Sequence, residues 1–311
     1  MRTHTVSRIF LLVFSFVLIA VPLFAQDILI GAKLRAGDEF RLELIRIREN
    51  TAQPQQNGKS RTVAKVRVLT ANSEGYVIEW MFGETVIENA LAAADPIVAA
   101  ASKAVSDIPF RITLNADGEF TGLANQAEVM PKLQALVDTI IQGASTRLPE
   151  DQRKAFLNFV NQLLSPTALI ASSTRDVQTY FGLNGVELAA GEAAEADLQV
   201  PSPLGGGVIP AKFRVQMESA TPDSSSLKTT TTYEAAALLR MTQSLAQQAG
   251  ATIPPEELKK MPPMEMSDDG KYLFDRTVGL MREVIVNRRI SLGPMRRTDG
   301  LEIRLVSGPK R

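Results

Sequence analysis

The chain has 311 residues with 34 basic and 34 acidic side chains, no cysteine and one histidine. Its 45% hydrophobic and 22% charged residues are typical of a folded globular protein rather than a disordered or fibrous one. The absence of cysteine excludes disulfides, thiol chemistry and a cysteine lipidation site, so a hydrophobic core must supply the stability.

The first 25 residues have the pattern of a secretory signal peptide. Arg2 and Arg8 precede the apolar run Ile9–Phe24, and Ala25 is a small residue at the expected cleavage point. The alternative is a retained membrane anchor, but sixteen apolar residues are fewer than the about 20 that a bilayer span requires. We therefore expect cleavage of residues 1–25, no transmembrane span afterwards, and a periplasmic or secreted protein without a lipobox cysteine.

Cleavage would also remove His4, the only histidine, and leave 32 basic against 34 acidic residues. Without His and Cys, the mature chain excludes Ser–His–Asp and Cys–His catalysis, haem on such ligands and nearly all zinc sites. The small net charge gives no field that favours nucleic acid. We expect no cofactor, no nucleic-acid partner and no enzymatic activity. A hydrolase that uses two carboxylates is the enzymatic alternative.

The first part of the mature chain alternates as β-strands. "FRLELIRIRE" changes its phase between Leu44 and Ile45, which predicts a β-bulge and a bent strand. "YVIEWMF" repeats apolar residues at every second position, so an antiparallel meander with one apolar face is expected. A later hairpin, "FRITLNADGEFTGL", has Asp117–Gly118 in its turn.

A helical block follows and interrupts the strands. Helices are predicted near residues 88–106, 125–142 and 149–165. Asn125 and Glu128 resemble a capping box at the start of the second helix, while Pro131 favours a start one turn later. Pro166 is expected to end the third. After it, "ALIASSTRDVQTYF", "KFRVQMESA" and "LKTTTTYEAA" are predicted strands. A loose segment, "AGEAAEADLQVPSPLGGGVIP", separates the first two, "LLRMTQSLAQQAG" is a predicted short helix, and Asp269–Gly270 is a predicted turn.

These elements predict an α+β fold with a large, curved, mostly antiparallel, half-barrel-like sheet and helices packed on one face. Residues 26–311 are expected to form one domain, with a weak subdivision near residue 184. The residues predicted to lie in the core are Tyr76, Ile78, Trp80, Phe82, Phe110, Ile112, Leu114, Leu133, Leu136, Val137 and Phe156.

Two groups of residues are candidate sites. Arg282, Arg288 and Arg289 belong to a basic C-terminal region and could meet an anionic ligand or a partner, although charged residues also guard a solvated sheet edge. Three thioethers within six residues could bind Cu(I), and the alternative is that they fill gaps around a proline loop. The three thioethers are Met261, Met264 and Met266.

The pattern Tyr272-x-Phe274-Asp275-x-x-x-Gly279 before a long strand, together with the hairpin at Asp117–Gly118 and its helix, resembles uncharacterised secreted bacterial β-rich proteins. Their curved sheet wraps helices, much as in periplasmic lipoprotein carriers. The resemblance covers the mature chain by element order and implies an architecture, with no functional residue attached.

The sequence thus favours an exported, non-catalytic envelope protein whose partner is a lipid or another envelope protein. Its alanine-rich segment, Ala90–Ala101, and the expected bent strand suggest a cavity between sheet and helices for a lipid-like ligand. The alternative is a solid core, which leaves a structural or partner-binding module. The oligomeric state and the ligand's identity stay open.

Overall fold

The computed structural model describes residues 27–89, 102–103, 105–145, 149–150, 153, 157, 166–201, 208–248 and 262–309. Thirteen strands lie in this part of the chain. They are β1 (Ile28–Leu29), β2 (Glu39–Asn50), β3 (Gly58–Asn72), β4 (Gly75–Ile87), β5 (Phe110–Leu114), β6 (Phe120–Leu123), β7 (Glu187–Leu188), β8 (Ala193–Pro201), β9 (Val208–Ala220), β10 (Ser224–Tyr233), β11 (Met264–Asp275), β12 (Leu280–Leu292) and β13 (Met295–Ser307). The helices treated below are α1 (Gln126–Ser145), α2 (Pro166–Phe181) and α3 (Ala235–Gln248), and a short 3₁₀ turn spans Pro54–Gln56.

Eleven strands form one antiparallel sheet in the order β6-β5-β4-β3-β2-β13-β12-β11-β10-β9-β8. Every pair of neighbours is consecutive in the chain except β2 and β13, which join the first strand of one meander to the last strand of the other. The described residues therefore have the predicted α+β architecture, with a curved antiparallel sheet and helices. β1 and β7 form a separate two-stranded sheet.

Side chains alternate between the two faces of each strand, and the described helices α1, α2 and α3 cover one of these faces. On β3, Thr62, Ala64, Val66 and Val68 are buried, while the residues between them are exposed. We call the covered side the inner face. It holds Leu42, Trp80 and Val284 at its centre. On β3, the opposite, outer face has exposed charged residues such as Lys65 and Arg67.

Most of the predicted core lies on this inner face. Ile78, Trp80, Phe110, Ile112, Leu114, Leu133 and Val137 are buried, and Tyr76, Phe82 and Leu136 are half-buried. Phe156 lies outside the described residues. Aromatic edge-to-face contacts link the sheet to α2, with Trp80 and Tyr180 at 6.4 Å between ring centroids.

Helix α2 corrects one prediction. The segment 168–181 was expected to be a strand, but it belongs to a helix whose described residues begin at Pro166. The predicted end of the preceding helix at Pro166 stays a prediction, because residues 158–165 lie outside the described residues. Leu169, Val177 and Tyr180 follow helical spacing and are buried against the sheet. Thr174 donates its hydroxyl to the carbonyl of Ile170 (2.8 Å), which satisfies the polar group inside the helix.

The capping-box prediction at α1 was also wrong. The helix starts at Gln126, but the Asn125 side chain turns away from it, accepting from Arg111 N and donating to Pro109 O, both at 2.9 Å. Asn125 is buried, so its amide is used to satisfy the backbone of the neighbouring strand. The predicted helices 88–106 and 149–165 lie largely outside the described residues.

Three predictions about strands need correction. β2 pairs with β3 without interruption through Leu44 and Ile45, so no bulge lies there, although both residues are buried. The segment expected to be loose contains the edge strand β8. Asp269–Gly270 is not a turn but lies within β11. Asp268 and Asp269 bond to Arg288 and Arg289 on the neighbouring strand β12, and these contacts favour the extended backbone.

Register shifts do occur elsewhere in the sheet. They lie at Thr62/Ala64 and Val68/Thr70 on β3, and at Leu273/Phe274 between β11 and β12. A bulge increases local twist and bends the strand, so these positions account for part of the curvature. The predicted Asp117–Gly118 hairpin turn is present, with Gly118 at φ 91°.

Candidate functional site

A groove of about 590 Å³ lies between one end of the inner face and helices α2 and α3. Its floor comes from the strands around the β2–β13 junction, where the two meanders meet. The apolar residues that line it are Ile47, Ile87, Met241, Met264, Met266, Val286, Ile290 and Leu301. This volume falls within the usual size range of ligand pockets.

Arginine side chains line the same groove beside these apolar residues. Arg46 and Arg48 are two residues apart on β2, so they share the inner face with Leu44. Arg46 bonds to the buried carboxylate of Asp176 on α2, and Arg48 donates to Asp299 on β13 at 3.0 Å. These ion pairs connect β2 to both a helix and the C-terminal strand.

Asp176 has an environment that disfavours its charge. Burial raises the pKa of this carboxyl, although the charges of Arg46 and Arg175 act in the opposite direction. Each groove carboxylate named here is held by an arginine, an arrangement typical of structural ion pairs. The hydrolase alternative thus stays a prediction without geometric support.

Arg288 forms the most enclosed polar cluster at the groove. It donates to Asp268 from Nε (2.7 Å) and from Nη2 (2.6 Å), and Tyr233 donates to the same carboxylate at 2.8 Å. The Arg288 guanidinium also lies 5.6 Å from the centroid of the Tyr233 ring. Burial and the charge of Asp268 raise the pKa of Tyr233 to about 12, although Arg288 acts to lower it.

Arg175 on α2 also lines the groove. Burial and the positive charge of Arg288 lower its pKa, while Asp268 and Asp176 act to raise it. In the described part of the chain, Asp176 is bonded by Arg46 and Asp268 by Arg288, and Arg175 bonds to neither. It therefore adds a positive charge to a neighbourhood that already contains Arg288.

The three arginines predicted from sequence do not form one site. Arg288 lines the groove, but Arg289 is the next residue along β12, so it lies on the outer face, where it pairs with Asp269 at 2.6 Å. Arg282 lies at the register shift near the β11–β12 turn and pairs with Asp275 at 2.7 Å. Whether any of them meets a ligand stays a prediction.

The predicted copper ligands are only partly described. Met261 lies outside the described residues. Met264 and Met266 share a face of β11 and pack against α3, where the Thr242 hydroxyl lies 3.6 Å from the Met264 sulfur. In the described ranges, no three His, Cys, Asp or Glu side chains are grouped so that they could hold a metal ion.

Sequence reasoning missed Arg46, Arg48, Arg175 and Arg297. The sequence did contain a signal for the first two. In "LIRIRE", Arg46 and Arg48 follow Leu44 at every second position, so both arginines lie on the same face of the strand as an apolar residue. Arg175 was missed because its segment was predicted to be a strand and forms helix α2. Arg297 was missed because it lies on β13, whose partner β2 is near the other end of the sequence. The groove depends on that long-range pairing.

These residues define an architecture with two parts. One is an open, curved antiparallel sheet, and the other is an arginine-lined groove between this sheet and its helices. No protein family matches the sequence, and no curated protein is similar to it. A solved structure of lipovitellin, described as showing its lipid–protein interactions, superposes with a TM-score of 0.44 and 9% sequence identity. The superposition covers 89% of this chain and 26% of that chain. The groove's own residues therefore carry the functional conclusion.

No helix in the ranges that the structure describes combines the length and the apolar character needed to cross a membrane.

Proposed function

We propose that this protein is an exported, non-catalytic protein of the cell envelope that binds a hydrophobic or lipid-like ligand in the groove. The signal-peptide pattern of residues 1–25 supports the export. The groove itself carries the proposal of ligand binding, because a volume of about 590 Å³ is lined by eight apolar residues and borders polar groups.

The position of the groove also supports this function. The central inner face is filled by Trp80, Tyr180 and their neighbours, as protein interiors usually are. Within the described ranges, no side chain fills the space between the apolar residues at the groove end, so they would gain free energy by contact with an apolar ligand. Val286 and Ile290 on β12, with Met264 on β11, form the apolar wall for that contact.

The test is to titrate the purified protein with a neutral apolar dye, N-phenyl-1-naphthylamine, and to displace the dye with decyl maltoside. Ile290→Trp places a large side chain in the groove and is expected to abolish saturable binding. Ile285→Trp is the matched control, because Ile285 lies on the same strand with its side chain on the outer face and should leave binding intact.

Absence of saturable binding by the unsubstituted protein would contradict the proposal, and so would equal loss in both variants. The partner-binding module would then be the better interpretation. Native mass spectrometry of protein purified from its own envelope adds a second measurement, in which a co-purified lipid is the expected result.

A further inference from the structure

The groove contains more positive than negative charge. Five arginines line it, namely Arg46, Arg48, Arg175, Arg288 and Arg297. Four of these arginines bond to only three aspartates. Arg46 bonds to Asp176, Arg288 bonds to Asp268, and Arg48 and Arg297 share Asp299. The remaining lining cation, Lys59, pairs with Glu88 at 3.2 Å. Two arginine charges are therefore not balanced by the groove's own carboxylates.

Arg175 accounts for one of these two charges. The neighbouring carboxylates already bond to Arg46 and Arg288, and the charge of Arg288 acts against that of Arg175. An anion placed between the two guanidinium groups would relieve this repulsion and accept hydrogen bonds from both. Arg175 is exposed enough for solvent to reach it, so a ligand can do so as well.

Arg297 accounts for the other. It shares Asp299 with Arg48, since Arg297 Nη2 lies 2.8 Å from one carboxylate oxygen while Arg48 Nε donates to the other at 3.0 Å. Its Nε is buried and has no acceptor in the described part of the chain. The side chain as a whole is 40% exposed, so an anion in the groove can reach other N–H groups of this guanidinium.

The sheet register brings these groups to one end of the apolar wall. Arg297 lies opposite Ile290, and Arg288 lies opposite Asp299 two residues further along β13, so Arg297 and Arg288 are diagonal neighbours on the inner face. Arg175 on α2 lines the same groove as Arg288 and Arg297. Met264, Met266 and Ile290 continue the lining beyond the arginines.

We infer that the ligand is an amphiphile with a phosphate or carboxylate head, and that Arg175 and Arg297 bind this head while the apolar wall holds the chain. This inference rests on the proposed function and adds the charge class of the ligand. A cationic head would be repelled by the unbalanced arginine charge, and a neutral head would leave that charge unbalanced.

The test compares four probes that share a ten-carbon chain, namely decyl phosphate, decanoate, decyl maltoside and decyltrimethylammonium, each titrated calorimetrically below its micelle concentration. Inorganic phosphate is the chain-free probe. We expect the two anionic probes to bind about tenfold more tightly than decyl maltoside, because a hydrogen bond to a charged group contributes about that factor or more. Decyltrimethylammonium should bind most weakly.

Arg175→Gln and Arg297→Gln are each expected to weaken decyl phosphate binding about tenfold and to change decyl maltoside binding by less than about twofold. Arg289→Gln is the matched control, because it removes one arginine of the same sheet from the outer face and should leave all affinities unchanged. Circular dichroism and the urea midpoint of each variant verify that it is folded.

Equal affinity for decyl phosphate and decyl maltoside, or unchanged decyl phosphate binding by both folded glutamine variants, overturns the headgroup inference and leaves the proposed function standing. Failure of every decyl probe overturns both. Equal binding of inorganic phosphate and decyl phosphate overturns the amphiphile and indicates a site for a free anion.

Discussion

Asp268 lies directly opposite Arg288 in the β11–β12 register, and the two side chains form a two-point ion pair of 2.7 and 2.6 Å. Both side chains are 17% exposed, and Tyr233 donates a further hydrogen bond to the carboxylate. The next pair along the same strands, Asp269 with Arg289, lies on the outer face and is far more exposed. Two neighbouring aspartates therefore have ion pairs that differ mainly in burial.

The first prediction uses this difference. Asp268→Asn leaves Arg288 enclosed without a full counter-charge, so we expect the free energy of unfolding to fall by about 2–4 kcal/mol. Asp269→Asn breaks only the exposed pair and should cost less than about 1 kcal/mol. Urea unfolding at neutral pH measures both. Equal losses in the two variants would show that the Asp268 cluster is as hydrated as the outer pair.

The second prediction concerns two glycines with similar backbone conformations. Gly118 has φ +91°, and a Cβ added there would lie 2.5 Å from both Ala32 Cβ and Asn184 Nδ2. Gly37 has φ +87° with nothing within 4 Å of the added Cβ. Gly37→Ala should therefore cost only the about 1–2 kcal/mol of a left-handed residue. Gly118→Ala adds the clash and should cost about 2–4 kcal/mol in total.

Urea unfolding of both alanine variants measures this difference. A Gly118→Ala protein as stable as the Gly37→Ala protein would mean that Ala32 and Asn184 do not pack on the turn.

The third prediction concerns the pH dependence that arises from Asp275. Burial acts to raise the pKa of this carboxyl, but hydrogen bonds from the Thr277 and Arg282 side chains, with two backbone N–H groups, outweigh it and lower the pKa. A carboxyl whose pKa is lower in the folded state stabilises the protein above its unfolded pKa, about 3.9. That contribution is lost as the pH falls through the folded pKa.

Asp275→Asn should therefore be less stable than the unsubstituted protein by about 1–2 kcal/mol at neutral pH, and the difference should shrink below about pH 4. Arg282→Gln removes one of the groups that lower the pKa, so it should reduce the pH-dependent part. Unfolding free energies measured from pH 3 to 7 test both variants. A difference that stays constant across this range would contradict the assignment.

The meander was predictable because its information is local. Alternation from Tyr76 to Phe82 and the Asp117–Gly118 turn each lie within a few residues, and both predictions hold. Asp269–Gly270 was misjudged because the partners that keep it extended, Arg288 and Arg289, are 20 residues away.

The groove was less predictable than the fold for the same reason. Its existence depends on the pairing of β2 with β13, which brings Arg48 within 3.0 Å of Asp299, 251 residues further along the chain. A pattern within a few neighbouring residues cannot predict a contact between residues so far apart in the sequence. The alanine-rich segment, which suggested a cavity from sequence, lies outside the described residues, and the groove described here is lined by other residues.

The last prediction uses all four tyrosines of the protein. Burial raises the pKa of Tyr180, Tyr76, Tyr233 and Tyr272 above the ordinary value of 10.0, in the last two to about 12. The ultraviolet absorbance of tyrosinate should therefore be low in the folded protein at pH 10.5 and appear on unfolding in urea at the same pH. Since the folded state holds these protons more tightly, the free energy of unfolding should fall as the pH rises above about 10.

Circular dichroism at each pH verifies that the protein is folded, and Tyr233→Phe and Tyr272→Phe assign the steps near pH 12. Ionisation of two or more tyrosines at pH 10, with the circular dichroism spectrum unchanged, would show that these side chains are hydrated rather than packed on the inner face.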